Sequence, residues 1–339
     1  MISAFPKPPS AVNYLSDEPI ANLRKHLPAQ SVVITQPAIQ QHYGHHWKGV
    51  PRILIGDGEK HKTLQMVHET YQQLIDLKID RSVWLVGVGG GMVCDLAGFV
   101  AATYLRGVAC AFVPTTLLAQ ADAAIGGKNG VNFQGFKNMV GTFYQPQFIL
   151  SDPATLQTLP ALELANGLAE VVKHALIADA AYFDYIENNF QKILNLDEVA
   201  LRHVTLRSYQ IKSDIVQRDE KEQNLRRILN FGHTYGHAIE KVAGISHGHA
   251  VSIGMEIALR LSIKYASLSQ NQYERVIRLL RNLNLPVSTS ADPQKIVDAL
   301  TADKKREGGE VHFVLLENIG RAVIKKIALT ELQNFLLSS

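Results

Sequence analysis

A short apolar run that ends in glycines restricts the fold of this chain more than any other feature. Residues 82–87 lead directly into Gly89, Gly90 and Gly91. Such a run is typical of a strand buried on both faces of a parallel sheet. Glycines between a strand and a helix let backbone N–H groups approach a pyrophosphate, which the helix dipole also favours. The same glycines could equally form a structural turn with positive φ, so the pattern alone leaves both interpretations open.

The glycine cluster does not complete a standard dinucleotide-binding fingerprint. Met92 stands where a third small residue is expected, and no acidic residue lies about twenty positions further on. The physical argument for phosphate binding at a helix N-terminus does not depend on the full motif.

Strand and helix signals alternate through the first half of the chain. Residues 31–35, 51–55 and 109–113 have strand character, and residues 63–77 have helical periodicity. This order predicts a parallel sheet with helices on its faces. We therefore expect an α/β, Rossmann-like N-terminal domain over residues 1–152.

The second half has a different pattern. Helical spacing covers residues 161–178, 197–217, 230–243, 250–268 and 272–283, and only residues 311–316 and 322–327 look extended, as a hairpin. A chain of 339 residues is longer than one hydrophobic core usually supports. We predict a mainly α-helical C-terminal domain over residues 153–339.

Composition and charge exclude several classes of protein. The net charge of +3 and the lack of a long basic run argue against a nucleic-acid partner. Two cysteines cannot build a disulfide framework, and the longest apolar run is too short for a membrane span. The first residues lack the pattern of a signal peptide. We therefore expect a cytoplasmic protein of enzyme size.

The candidate catalytic chemistry is concentrated in the second half. His233 and His237 are four residues apart and would share one helix face, and His247 follows ten residues later between Gly244 and Gly248, in a segment expected to turn. Glu170, on an apolar helical segment, is the natural third ligand of a zinc-like ion. The histidine pair could equally be solvated, and Glu170 could form a surface pair with Lys173.

Further polar residues accompany these motifs. Lys60 and Lys62 follow a strand, Lys128 lies in a flexible glycine loop, and lysines at such positions suit phosphates and carboxylates. Each could also be a solvated surface residue. The same alternative applies to the charge run at residues 303–305, which we place in a loop.

Together these motifs resemble the 3-dehydroquinate synthase family over roughly residues 56–320. The resemblance rests on GDGEKHKT, GGGMVCDLAGFVAATYLRG, VPTTLLAQADAAIGGKNGVN, FKNMVGTFYQP, LAEVVKH, LNFGHTYGHAIE, HGHAVSIGM and DKK. It implies an active site between two domains, bound NAD, one divalent metal ion (zinc, or sometimes cobalt) and a homodimer.

The resemblance also implies a role for each matching residue. The metal ligands would be Glu170, His233 and His247. The catalytic group would be Lys173, Lys212, Glu222, Arg226, Asn230 and His237. Substrate would contact Asp122, Lys128, Asn138, Lys304 and Lys305, with Arg106 reaching the site of a partner subunit. NAD would contact Asp57, Gly58, Glu59, Lys60, His61, Lys62, Gly91, Met92, Val93, Cys94, Asp95, Thr115, Thr116, Lys128, Lys137, Thr155, Leu156, Gln157 and Thr158.

Six positions depart from the usual family pattern: Cys94 and Phe136 replace small residues, Asn129 replaces a threonine, Ala124 a serine, Asn224 a glycine and His249 a glutamate. His249, two residues after a proposed ligand, could compete for the metal.

The implied reaction converts 3-deoxy-D-arabino-heptulosonate 7-phosphate to 3-dehydroquinate and phosphate. It proceeds by transient oxidation with NAD, β-elimination of phosphate, reduction, ring opening and aldol closure. The alternatives are another sugar phosphate cyclase that makes an inosose or a valiolone, a metal-dependent polyol dehydrogenase, and an inactive nucleotide-binding protein. Asn230, His237 and the Lys304–Lys305 pair favour the dehydroquinate-forming member.

Overall fold

In a computed structural model of the chain, which describes residues 12–16, 18–304 and 310–337, six parallel strands form one sheet. The described residues divide into two compact units, one ending at Leu159 and the other beginning at Pro160. No helix within those ranges is both long and apolar enough to cross a membrane.

The first unit contains the parallel sheet, with strand order β1-β8-β5-β4-β2-β3, and a separate antiparallel hairpin, β6–β7. Its elements are β1 (Asn13–Ser16), α1 (Leu23–His26), β2 (Ser31–Thr35), α2 (Pro37–Tyr43), β3 (Arg52–Leu54), α3 (Leu64–Asp76), β4 (Trp84–Gly89), α4 (Gly91–Thr103), β5 (Ala109–Pro114), β6 (Lys128–Phe133), β7 (Phe136–Phe143) and β8 (Phe148–Ser151).

Alternate residues of the central strands build the core of this unit. Val33, Val86, Ala111 and Leu150 come from four adjacent strands and pack in one cluster with the buried indole of Trp47. Strands flanked by apolar residues on both faces explain why the sequence shows continuous apolar runs rather than alternation. The predicted α/β parallel sheet is confirmed.

The second unit is mainly helical and has one antiparallel hairpin, β9–β10. Its elements are α5 (Ala161–Ala178), α6 (Ala180–Leu194), α7 (Glu198–Arg218), α8 (His233–Ala243), α9 (His247–Tyr265), α10 (Gln270–Asn282), α11 (Pro293–Lys304), β9 (Glu310–Asn318), β10 (Arg321–Ala328) and α12 (Leu329–Leu337). The five predicted helices and the predicted hairpin are all present.

Two local predictions are wrong. Lys128 does not lie in a flexible loop: it is the first residue of β6, after Gly126 and Gly127 make a turn with positive φ. Lys304 ends helix α11 rather than lying in a loop. Lys305 lies outside the described residues, and the side chain of Lys304 is not described.

Candidate metal centre and nucleotide-binding edge

Three ligand-type side chains meet in the second unit, each from a different helix. Glu170 lies within α5, and His233 and His247 are the first residues of α8 and α9. Nε2 of each histidine lies 3.3 Å from Oε1 of Glu170, and ligand atoms of all three lie within 4.8 Å of one another. Two tetrahedral ligands at about 2.0–2.1 Å from a zinc-like ion are about 3.3 Å apart. The predicted ligand set therefore fits one cation.

The second ring nitrogen of each histidine also faces an acceptor. Nδ1 of His233 lies 3.1 Å from the carbonyl oxygen of Phe231, and Nδ1 of His247 lies 3.5 Å from Oε2 of Glu240. An acceptor at Nδ1 favours the tautomer whose Nε2 lone pair is available for a metal. Sequence reasoning missed Glu240. Its position seven residues after His233, on the same helix face, is the signal that could have identified it.

Glycines let the two histidine-bearing helices approach closely. A Cβ on Gly254 of α9 would lie 1.9 Å from the carbonyl oxygen of Gly232, which precedes α8. A Cβ on Gly236 of α8 would lie 3.0 Å from the carbonyl oxygen of Ala250 in α9. Because a Cβ would overlap the facing backbone at Gly254 and crowd it at Gly236, the backbones meet directly and the histidines at their ends come together.

Helix α5 packs against the start of α9 in the same way. A Cβ on Gly248 would lie 2.3 Å from Cα of Asn166 in α5, and the N–H of Gly248 donates to Oδ1 of Asn166 at 3.1 Å. Gly248 was predicted to turn the chain, but it lies in the first turn of α9. Gly244 makes the turn, with φ of +64° after α8. Asn166 is one helical turn before Glu170, so α5 both supplies a ligand and anchors the start of α9.

The charge of Glu170 is balanced inside the unit. Glu170 and Lys173 form an ion pair with only 0% and 1% of their residue surface exposed, so the surface-pair alternative is wrong. Burial raises the pKa of Glu170, but the positive charges of Lys173 and His233 outweigh it and hold the pKa well below its usual range. Glu170 is therefore ionised at neutral pH.

The neighbouring histidines have opposite electrostatic environments. Burial lowers the pKa of His247, but hydrogen bonds to Glu170 and Glu240 outweigh it and raise that pKa to about 9. Burial, with the positive charges of His233 and His247, lowers the pKa of His237 to about 4. The two carboxylates therefore favour positive charge at His247, as they would favour a bound cation. His237 is neutral at pH 7 and can accept a proton.

Polar residues predicted to hold substrate in this unit are largely buried. Lys173, Lys212 and Arg226 are all more than nine-tenths buried. Arg226 donates from Nη1 to the carbonyl oxygen of Glu220 at 2.6 Å. Partners within the protein offset the cost of burying such groups: Glu170 does so for Lys173, and the carbonyl oxygen of Glu220 does so for Arg226. The positive charges are therefore held in fixed positions.

Asp219 organises the segment between α7 and α8. Its carboxylate accepts hydrogen bonds from the backbone N–H groups of Gln223, Asn224 and Arg226 at 2.9, 2.7 and 3.0 Å. These bonds hold the pKa of Asp219 below its usual range. Sequence reasoning missed this residue, because one aspartate at a helix end carries no distinguishing pattern.

Asn230 and Glu222 are joined within the same segment. Nδ2 of Asn230 donates to Oε1 of Glu222 at 2.7 Å, and Glu222 adopts a left-handed φ of +57°. Both residues were predicted to belong to the catalytic group.

In the first unit, the residues predicted to contact NAD, apart from Lys128 and Lys137, follow the carboxyl ends of four parallel strands. Residues 57–62 follow β3, residues 91–95 open α4 after β4, Thr115 and Thr116 follow β5, and residues 155–158 lie in the 3₁₀ segment after β8. β2 and β4 are neighbours in the sheet, but the chain runs from β2 to β3 on one side and from β4 to β5 on the other. The strand order therefore reverses between β2 and β4. Ligands of open α/β sheets bind at such a switch point, beyond the carboxyl ends of the strands.

The N-terminus of α4 is open to an anion. Gly90 caps the helix with no side-chain hydrogen bond. A Cβ on Gly87 would lie 2.9 Å from Cβ of Ala97, and one on Gly89 would lie 2.5 Å from Cγ2 of Val93. These glycines therefore serve close strand–helix packing, which in a standard dinucleotide-binding turn is the role of the third glycine. Close packing accounts for these glycines, and phosphate binding at this turn stays a prediction.

A buried lysine links three of the predicted segments. Nζ of Lys62 lies 2.5 Å from Oδ2 of Asp95 and 2.5 Å from Oδ1 of Asn138. Asn138 has a left-handed φ of +52° on β7, and its N–H donates to Oδ1 of Asn132 at 2.9 Å. The lysine thus ties the segment after β3 to α4 and to the β6–β7 hairpin. Lys128 and Lys137, on that hairpin, are exposed.

Buried polar atoms remain unsatisfied at the same edge of the sheet. Oγ1 of Thr115 and Oε1 of Gln120 are buried without a hydrogen-bond partner among the described residues. Nε2 of Gln120 lies 3.0–3.1 Å from the carbonyl oxygens of Pro114 and Asp152 and from Oγ1 of Thr155. Gln120 was not predicted. It lies with Asp122 in a π-helical turn, Ala119–Ala123, a feature frequent at functional sites. The orphaned atoms fit a bound polar cofactor.

Arg106 lies on a strained, exposed turn. Leu105, Arg106 and Gly107 have φ of +49°, +66° and +115° in succession, and both Leu105 and Arg106 are exposed. Non-glycine residues in this conformation cost free energy and are concentrated at functional positions.

Four of the six departures from the family pattern are accommodated locally. The Cys94 thiol is buried and lies 3.9 Å from the carbonyl oxygen of Gly89. Asn129 donates to the carbonyl oxygens of Gly127 and Tyr144, and Phe136 is exposed. His249, in the first turn of α9, does not belong to the group of Glu170, His233 and His247.

Comparison with known proteins agrees with this combination of a parallel-sheet unit and a helical unit. A 2-epi-5-epi-valiolone synthase from Streptomyces hygroscopicus, solved with NAD⁺ and Zn²⁺ bound, is 30% identical, with a TM-score of 0.88 over 100% of this chain and 98% of its own. A 2-deoxy-scyllo-inosose synthase is 24% identical with a TM-score of 0.87, over 99% of this chain and 100% of its own, and shows the fold alone. The fold is therefore that of the sugar phosphate cyclases.

Sequence relatives give the family within that class. The 3-dehydroquinate synthase N-terminal profile matches residues 52–166, and the C-terminal profile matches residues 167–306. A 3-dehydroquinate synthase from Desulforamulus reducens is 47% identical over 79% of this chain and 76% of its own. One from Pelobacter propionicus is 39% identical over 91% and 90%. The chain belongs to the 3-dehydroquinate synthase family.

Proposed function

We propose that this chain converts 3-deoxy-D-arabino-heptulosonate 7-phosphate to 3-dehydroquinate and phosphate, in the cytoplasm. The observation that carries the proposal is the group of Glu170, His233 and His247, which supplies a metal-binding constellation within a family of this activity. Identities of 39–47% to 3-dehydroquinate synthases across both halves of the chain support the same reaction.

The proposed cofactors are NAD and one divalent metal ion, zinc or alternatively cobalt. The 30% identical valiolone synthase carries NAD⁺ and Zn²⁺. Glu170, His233 and His247 would hold the metal, and residues at the carboxyl edge of the sheet, with Lys128 and Lys137, would hold NAD. Bound nicotinamide supplies reversible hydride transfer, and the metal supplies a Lewis acid. We accordingly propose an NAD-binding domain over residues 1–152 and a metal- and substrate-binding domain over residues 153–339. Residues 155–158, which would also contact NAD, belong to the compact unit that ends at Leu159.

The buried cations would hold the anionic ends of the substrate. Lys173, Lys212 and Arg226 are buried, positively charged and placed in one helical unit. Fixed charges that do not need to reorganise stabilise a carboxylate or a phosphate leaving group more strongly than water does. The proposed contacts of Asp122, Lys128, Asn138, Lys304 and Lys305 with the substrate rest on the family resemblance.

His237 is the proposed proton acceptor. Its low pKa keeps the imidazole neutral at pH 7, so it can accept the proton of the hydroxyl group that is oxidised. Asn230, joined to Glu222, would orient a substrate hydroxyl, and Glu222 would balance the positive charge that His237 gains.

A homodimer is proposed from the family resemblance, with Arg106 contributing to the site of the partner subunit. Support comes from the exposed position of Arg106 and from its left-handed φ. A strained conformation that presents a guanidinium group to solvent is suited to a phosphate outside its own subunit.

Two other activities share this fold. Inosose and valiolone synthases use different phosphorylated sugars. A probable glycerol dehydrogenase from Sinorhizobium meliloti, 17% identical with a TM-score of 0.69, shares the fold alone. Asn230, His237 and the Lys304–Lys305 pair favour the dehydroquinate-forming reaction. A dehydrogenase would accumulate NADH, whereas a cyclase makes no net redox change.

The deciding experiment incubates the purified protein with the heptulosonate 7-phosphate and NAD. Phosphate and 3-dehydroquinate should appear together in equal amounts without net NADH, and chelation should abolish both. Release of phosphate only from another sugar phosphate would favour a different cyclase. Steady accumulation of NADH would contradict the proposal.

A further inference from the structure

His247 lies between two carboxylates. Its Nε2 faces Oε1 of Glu170 at 3.3 Å, and its Nδ1 faces Oε2 of Glu240 at 3.5 Å. An imidazole can bind a metal only through a deprotonated nitrogen, so the other nitrogen must keep its hydrogen. The acceptor at Nδ1 therefore determines whether Nε2 is presented correctly.

The two histidine ligands are oriented by different kinds of acceptor. His233 has a backbone carbonyl, that of Phe231, at 3.1 Å from Nδ1, and this acceptor cannot be lost by mutation of a side chain. His247 has the carboxylate of Glu240 at the corresponding position. A carboxylate is the stronger acceptor, and it raises the basicity of the ligand on the other side of the ring.

The position of Glu240 is set by α8 itself. His233, His237 and Glu240 are separated by four and three residues and so lie on one helix face. The Glu240 side chain is only 12% exposed. Its backbone carbonyl accepts the N–H of Gly244 at the end of α8, a bond that a side-chain substitution leaves intact.

We propose that Glu240 is a positioning residue that orients His247 and slows the release of the divalent metal. The proposal rests on the proposed metal site, and it assigns to α8 two functions: supplying one ligand and orienting another. Glu240 does not itself bind the cation.

The test measures the rate at which zinc passes from the holoenzyme to a colorimetric chelator. Glu240→Ala should release zinc about 10–100-fold faster than the unchanged protein, the range typical for loss of such a partner. Glu240→Gln should lie between the two, because the amide oxygen still accepts a hydrogen bond without a charge. The cobalt-loaded Glu240→Ala protein should also show altered visible absorption bands.

Two controls separate the possible outcomes. Glu274→Ala removes an exposed carboxylate from α10 and should leave zinc release unchanged. Glu170→Gln should reduce bound zinc below one equivalent. If the unchanged protein binds no stoichiometric zinc, the proposed function fails. If the unchanged protein binds zinc, and Glu240→Ala releases zinc at a rate within twofold of the unchanged protein, only the role of Glu240 is refuted. If Glu240→Ala does not fold, equal zinc-release rates for Glu240→Gln and the unchanged protein would refute the positioning role of Glu240.

Discussion

Gly254 and Gly232 are in backbone contact: a Cβ added to Gly254 would lie 1.9 Å from the carbonyl oxygen of Gly232. This contact fixes the approach of α8 and α9, whose first residues are His233 and His247. The proposed metal site therefore depends on two residues that have no side chains.

Gly254→Ala should destabilise the fold and weaken metal binding together. The backbone cannot yield as a flexible side chain would, so we expect a loss of about 3 kcal/mol or more in the free energy of unfolding. Chemical denaturation and zinc analysis measure the two effects. Gly244→Ala is the control. Its φ of +64° makes alanine strained there, but its Cβ would meet nothing within 4 Å, so it should destabilise the fold without separating α8 from α9. If the Gly254→Ala protein is destabilised but still binds one full equivalent of zinc, the helix contact does not control metal binding.

Lys173→Met should be strongly destabilising, because it leaves the buried carboxylate of Glu170 without its cation. Breaking a buried pair typically costs about 3–5 kcal/mol, whereas replacing both partners costs much less. We therefore expect Glu170→Leu to restore much of the stability when combined with Lys173→Met, measured by denaturant titration of metal-free protein. Equal stability of the single and double variants would argue against this ion pair.

The same pair predicts a pH dependence. The folded pKa of Glu170 lies below its ordinary value, so its ionised form stabilises the fold above the unfolded pKa. That stabilisation is lost as pH falls through the folded pKa. Removing Lys173 raises the folded pKa, so the loss should begin at a higher pH in the Lys173→Met protein. Denaturation of metal-free protein across acidic pH measures the shift, and superimposable pH profiles would contradict it.

His233→Ala should remove the metal, and His249→Ala should not. The two histidines differ in whether they belong to the group around Glu170. We expect His233→Ala to retain well under one equivalent of zinc and to lose at least about 100-fold in activity, since metal-assisted polarisation is worth several kcal/mol. Metal analysis after dialysis decides the matter, and comparable metal loss in His249→Ala would show that His249 is also a ligand.

The parts of the site that follow sequence periodicity could be predicted from the sequence. The pair His233 and His237 lies on one helix face because the spacing of four residues requires it. Glu170 stood out because a charge in an apolar helical segment needs a partner, and the structure supplies both Lys173 and the histidines.

The remaining parts depend on tertiary contacts that local sequence does not encode. Gly248 was taken for a turn residue, but its role is to admit the backbone of Asn166, which lies 82 positions away. Lys128 was placed in a loop because three nearby glycines suggested one, yet β6 forms by pairing with β7. Gln120 donates to the carbonyl oxygens of Pro114 and of Asp152, which lies 32 positions away, and no spacing rule identifies such a contact.

His237→Asn should lower kcat and change its pH dependence. The pKa of His237 is about 4 because of burial and two neighbouring histidines, so the imidazole is competent as a base at higher pH and is lost as pH falls toward 4. General-base catalysis typically contributes 10²–10⁴-fold, and we expect a decrease within roughly that range. The acid limb due to His237 should disappear from the kcat profile. A profile of unchanged shape in the variant would argue for another base.

Gln120→Leu should destabilise the first unit and weaken NAD binding. Nε2 of Gln120 donates to the carbonyl oxygen of Pro114 at the end of β5, and to Asp152 and Thr155 after β8. The substitution therefore removes a buried link between these segments, worth about 0.5–1.5 kcal/mol per hydrogen bond. The 3₁₀ segment Pro153–Thr158 would lose an anchor, although Tyr43 still contacts Thr155 and Thr158. We expect NAD affinity to fall more than kcat at saturating NAD, measured by calorimetry and steady-state kinetics. Gln72→Leu on the exposed face of α3 is the control. An unchanged NAD affinity in a folded Gln120→Leu protein would mean that residues 155–158 are held by other contacts, or do not bind the cofactor.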